Sequence, residues 1–90
     1  MLKNLEELIA IIRQRKESLP EKSYTSKLLK NKKLSIEKVR EEIAELIDAI
    51  EKNTNKVHES ADVLYHLMVL LEANDIKIED VMDELKKRQK

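Results

Sequence analysis

The chain has no cysteine, no glycine, no tryptophan and no phenylalanine, and only one proline, Pro20. Without cysteine there is no disulfide framework, no thiolate nucleophile and no Cys-based zinc site. Without glycine, tight hairpin turns lose their usual residues, so β hairpins are disfavoured and long helices favoured. A P-loop is excluded for the same reason, since its glycines let backbone N–H groups cradle phosphates. Charge of one sign is also missing, because 18 Lys and Arg balance 18 Asp and Glu. A nucleic-acid partner is therefore not expected, and the cluster Lys30, Lys32 and Lys33 reads as solvated loop. The longest apolar run, ADVLYHLMVLL, contains Asp62 and His66 and falls short of the roughly 20 residues of a membrane span. The N-terminal stretch MLKNLEELIAIIRQRK has no uninterrupted apolar segment, so no signal peptide is expected. The cytoplasm is the expected location.

Apolar residues make up 41% of the 90 positions and charged residues 40%. This balance suits amphipathic helices rather than disorder. The expected fold is all-α, a single domain over residues 1–90 built as a bundle of four to five helices. With two tyrosines as the only aromatics, the core is made of Leu, Ile, Val and Ala and is small for a lone chain. Completion by homodimerisation, or a higher homo-oligomer, is expected.

Leu2, Leu5, Leu8, Ile9 and Ile12 recur at helical spacing and predict a helix over about residues 2–17, ending before Pro20. Ser23 or Thr25 is a candidate cap for a short helix to about residue 32. Ser35 is the expected N-cap of the next helix, to about residue 52, with Ile36, Val39, Ile43, Leu46, Ile47 and Ile50 as its core face. The stretch KNTNK offers Asn or Thr caps for a helix from about residue 56 to 74. A last helix, IEDVMDELKKRQ, starts acidic and ends basic, as the helix dipole prefers.

On a wheel of about 100° per residue with Ile43 at zero, Glu42 and Glu45 fall near −100° and −160°, beside Lys38 and Ala49. Glu41 points away, near 160°. The helix from Lys56 is apolar nearly all round, as a buried central helix would be. Its exceptions, Glu59, Asp62 and His66, lie on one stripe about 60° wide. Buried carboxylates cost several kcal/mol unless paired, protonated or bound to a cation. Two pairs one turn apart, Glu42/Glu45 and Glu59/Asp62, therefore ask for a hard divalent cation, such as Mg²⁺, held between antiparallel helices. ExxE alone is an ordinary wet helix face; the second pair, on a helix with no other wet face, changes its weight. A diiron centre would need Glu-x-x-His motifs, which the spacing of Asp62 and His66 does not provide. His66 reads as a hydrogen-bonded neighbour or a substrate contact, and Tyr65 and Met68 as core.

The segments REEIAELIDAI and HESADVLYHLMVLL, with SYTSKLL upstream, resemble the all-α NTP pyrophosphatase superfamily, which includes the MazG-type enzymes, and within it the phosphoribosyl-ATP pyrophosphatases. The resemblance covers most of residues 20–90. It implies Mg²⁺-dependent hydrolysis of phosphoribosyl-ATP to phosphoribosyl-AMP and pyrophosphate, the second step of histidine biosynthesis. It implies catalytic, metal-binding roles for Glu42, Glu45, Glu59 and Asp62, with Glu41 in a peripheral or second-metal role and Glu42 or Glu45 as base. It also implies contacts with the substrate's ribose or phosphates at Ser23, Tyr24, Thr25 and Lys27, and a structural or phosphate-facing role for Lys38. The family often has Gly where this chain has Lys22 and Arg40. A MazG-like pyrophosphatase for ordinary nucleoside triphosphates is the alternative, and a non-catalytic helical oligomerisation module is a third reading.

Overall fold

The computed structural model describes residues 1–89, so Lys90, the last residue of the expected domain, lies outside the described residues. Five helices follow in order: α1 Lys3–Ser18, α2 Tyr24–Lys30, α3 Lys32–Lys52, α4 Lys56–Ala73 and α5 Ile78–Arg88. There is no strand among the described residues. None of the helices is long and apolar enough to cross a membrane.

With no glycine to hand, left-handed backbone falls on Leu19, Asn53, Asn55 and Asp75. Asn and Asp tolerate this region; Leu19 is the costlier case, and it closes α1 through its N–H to the Arg15 carbonyl. Residues 53–55 are the whole turn between α3 and α4, which therefore form an antiparallel helical hairpin. The core joins Ile12 of α1, Leu28 and Leu29 of α2, and Met68, Val69 and Ala73 of α4.

Three sequence expectations need correction. α3 begins four residues earlier than expected, because Asn31 caps it by accepting from the Leu34 N–H at 3.1 Å. Ser35 lies buried inside the helix and donates to the Leu28 carbonyl at 2.6 Å, tying α3 to α2. Neither Asn nor Thr of KNTNK caps α4 by side chain: Asn55 occupies the cap position in left-handed backbone without a side-chain bond.

The third correction concerns which way α3 faces. Ile36, Ile43, Ile47 and Ile50 are 41, 43, 52 and 56% exposed, whereas Ser35, Val39 and Ala49 are buried and Glu42 is half-buried. The inward arc is thus turned roughly 80° from the isoleucine stripe. Small Ala49 and Val39 let α3 lie close to α4, and that rotation carries Glu42 inward. α4 is likewise open on one flank, with Val57, Ala61 and Leu64 exposed.

α5 meets the core through Ile78 and is held chiefly by charge. The Arg13 guanidinium donates to both Glu79 oxygens at 2.9 and 2.6 Å and to Glu72 at 3.3 Å. Lys16 donates to the Glu72 carbonyl and to Asp75, each at 2.6 Å. The Arg13 hydrogen bonds pull the Glu79 carboxyl from its ordinary 4.5 down to about 2. A depressed acid contributes stability above its unfolded value and loses it as pH falls through the folded one. Protection of the α5 amides relative to their intrinsic exchange rate is therefore expected to fall between pH 4.5 and about 2, and Arg13→Gln is expected to abolish that fall. Glu79 is largely exposed and Arg13 about one-third exposed, so the effect is local to α5 rather than global.

Candidate active site

The turn at residues 53–55 folds α4 back along α3, and this sets their carboxylates face to face. Glu42 and Glu45 stand one turn apart on α3, and Glu59 lies in the first turn of α4. One carboxylate oxygen from each of Glu42, Glu45 and Glu59 lies within 4.8 Å of the others. A second group, His58, Glu59 and Asp62, is equally tight, so Glu59 is common to both. His58 Nε2 is 3.4 Å from Asp62 Oδ2.

One oxygen of Glu42 and one of Glu59 are buried with no hydrogen-bond partner. Burial, and then the charge of Glu45, push the Glu42 carboxyl above its ordinary value; Asp62 adds to this and His66 opposes it. Buried, unpartnered carboxylate oxygens facing like charges are what a hard cation satisfies, so these residues fit a divalent metal ion. Exposed Glu41 lies outside both groups and pairs with Lys38 at 3.4 Å, an interaction that raises the Lys38 ammonium.

The SYT segment reaches the same place from α2. Ser23 is the N-cap, its Oγ accepting from the Ser26 N–H at 3.2 Å. Tyr24 Oη is 3.1 Å from His66 Nε2, and Thr25 Oγ1 is 2.5 Å from Tyr65 Oη. The Tyr24 ring stacks on Tyr65 at 6.4 Å, and Tyr65 meets His66 edge-on at 5.0 Å. Tyr65 is thus more than core filler, because its hydroxyl ties α4 to α2. Exposed Lys27 lines an open cleft of about 530 Å³ with Lys22, Ser23, Tyr24 and Lys30.

Sequence alone assigns no site role to His58 or Lys22, and Lys30, expected in a solvated loop, is instead the last residue of α2. The spacing of His58 and Asp62, one helical turn, was the available signal for the first. The lysines carried none, since the cleft exists only once α2 is folded.

The family model described as phosphoribosyl-ATP pyrophosphohydrolase matches residues 5–89. The chain belongs to this family. It is 43% identical over 90 residues to the phosphoribosyl-ATP pyrophosphatase of Haloarcula marismortui, covering 94% of this chain and 92% of that protein. The enzyme of that name from Metallosphaera sedula is 45% identical over 89 residues, covering 96% of each. The histidine biosynthesis bifunctional protein HisIE of Pyrococcus furiosus is 49% identical over 87 residues, which are 96% of this chain but 41% of that protein. The chain therefore spans less than half of the bifunctional relative. Lys22 and Arg40, where the resemblance leads one to expect glycine, are both exposed. A side chain at either position meets solvent rather than the carboxylate cluster.

Proposed function

We propose that this chain hydrolyses the α–β phosphoanhydride of phosphoribosyl-ATP to give phosphoribosyl-AMP and pyrophosphate, with Mg²⁺ as its cofactor, in the histidine pathway of the cytoplasm. In a member of this family, the observation that carries the reading is the convergence of Glu42, Glu45 and Glu59 with two buried carboxylate oxygens left unpartnered. Glu42, Glu45, Glu59 and Asp62 would hold the cation, with Glu41 at the margin. Bound there, Mg²⁺ supplies positive charge against the leaving pyrophosphate. Lys27 and Lys38 add charge for the phosphates, as they must in a chain with no glycine loop. Glu42 and Glu45 are the two candidate bases for taking a proton from the attacking water.

The functional unit in this reading is a homodimer. The isoleucine stripe of α3 is left about half exposed within one chain, and a core of this size gains most from a second copy.

Purified protein with Mg²⁺ is expected to release pyrophosphate from phosphoribosyl-ATP and to leave a panel of ordinary nucleoside triphosphates intact. Preferential turnover of the panel would move the chain to the MazG-like alternative, and no turnover of any substrate would refute both.

A further inference from the structure

The turn after α1 and the helix that follows it gather lysines that no acid of the chain neutralises. Residues 20–23 form a turn closed by the Ser23 N–H on the Pro20 carbonyl at 3.2 Å, which brings Lys22 to the head of α2. Lys27 and Lys30 follow one turn apart on that helix. All three line the open cleft of about 530 Å³, and all three are exposed. Lys16, Lys38 and Lys52 each pair with an acid, whereas among the described residues none of the cleft lysines does.

The neutral groups of the cleft are donors as well. Ser23 Oγ accepts from the Ser26 N–H at 3.2 Å, so its hydroxyl keeps a proton to donate. Asn31 Oδ1 is committed to the Leu34 N–H at 3.1 Å, so what Asn31 has left to offer is its two amide N–H donors. Glu21 is the one carboxylate in the lining. Three ammoniums against one carboxylate leave two positive charges, which balance the charge of about −1.5 to −2 on a phosphate monoester near neutral pH. A carboxylate ligand would meet only half of it.

Tyr24 joins this cleft to the acidic cluster. It lines the cleft, and its Oη lies 3.1 Å from Nε2 of His66, one turn along α4 from Asp62. A ligand with a phosphoanhydride at the carboxylates reaches the lysines only if it carries a second phosphate beyond Tyr24. Phosphoribosyl-ATP has such a group, the phosphate ester on its added ribose, and an ordinary nucleoside triphosphate has none.

We infer that Lys22 and Lys30, together with Lys27, form a subsite for a phosphate monoester, and that this subsite takes the ribose phosphate of phosphoribosyl-ATP while the triphosphate is left to Lys38 and the cation. The identity of the substrate rests on the proposed function; the class of ligand does not. Lys22 stands where the resemblance leads one to expect glycine, so part of the subsite comes from this chain's own departure.

Two measurements on the full chain test this. Ribose 5-phosphate, titrated into the tens of millimolar that a few exposed charge contacts call for, is expected to shift the backbone amides of residues 21–31 in ¹H–¹⁵N spectra, and ribose is expected to leave them in place. The shifts are expected to vanish in Lys22→Ala/Lys30→Ala, a variant that removes only exposed side chains. No shifts in this segment, or equal shifts in the double variant, overturn the subsite whether or not the protein turns over phosphoribosyl-ATP. In the assay, the wild type is expected to prefer phosphoribosyl-ATP over the same molecule lacking its ribose phosphate by roughly 10-fold in kcat/KM, and the double variant by about 2-fold or less. An undiminished preference in the double variant overturns the assignment to that phosphate. Absence of any turnover by the wild type counts against the proposed function alone, and the titration then decides the subsite.

Discussion

Glu42→Gln is expected to lower pyrophosphate release by at least about 100-fold while raising the melting temperature of the metal-free protein, and Glu59→Gln to do the same. The two effects have one cause. Each side chain holds a buried oxygen with no donor, and Glu42 also faces Glu45 and Asp62. In the absence of a cation this costs stability, and an amide removes the charge that causes it. The sign follows from the direction of the Glu42 shift. A carboxyl raised in the folded state favours folding below its unfolded value near 4.5 and loses that contribution as pH rises through the folded value. The metal-free protein should therefore soften on going from about pH 4.5 towards neutrality, and Glu42→Gln should flatten this slope. Melting curves across pH, with and without chelator, check both halves. A variant that loses activity and stability together would mean that Glu42 is a structural residue.

Ile43→Asp together with Ile47→Asp is expected to convert the proposed dimer to a species of 10.6 kDa and to lower its melting temperature sharply. Both residues are about half exposed in the single chain, so a charge there does little damage to an isolated subunit. In a dimer seam each charge would be buried without a partner, at several kcal/mol. The loss of cover would then expose how modest the single-chain core is. Light scattering coupled to size exclusion reads the mass directly. Wild-type protein already at 10.6 kDa, or a variant that keeps twice that mass, contradicts the dimer.

Local chemistry was legible where a periodic stripe met a clear cap or stop. Pro20 and the charge gradient of IEDVMDELKKRQ place the ends of α1 and α5 within a residue or two. The start of α3 was hidden because Asn31 and Ser35 are both good caps, and only the packed α2 shows that Ser35 is needed for the Leu28 carbonyl. The isoleucine stripe of α3 was visible, but periodicity cannot say what covers a stripe; the inward face belongs to Ser35, Val39 and Ala49 with half-buried Glu42 beside them, while Glu45 is exposed. The facing of Glu42 and Glu45 by Glu59 followed from i, i+3 pairs on two helices joined by a short turn. Bonds between distant positions, such as Arg13 with Glu79 and Tyr24 with His66, leave no trace in spacing.

Uptake of Mn²⁺, an oxygen-seeking probe for the Mg²⁺ position, followed by electron paramagnetic resonance in wild type and in Glu42→Gln/Glu59→Gln, tests most directly whether α3 and α4 hold a cation between them. Saturable binding by the wild type that is lost in the double variant is the predicted result. Equal uptake by both proteins, or none by either, would contradict a metal site at these carboxylates.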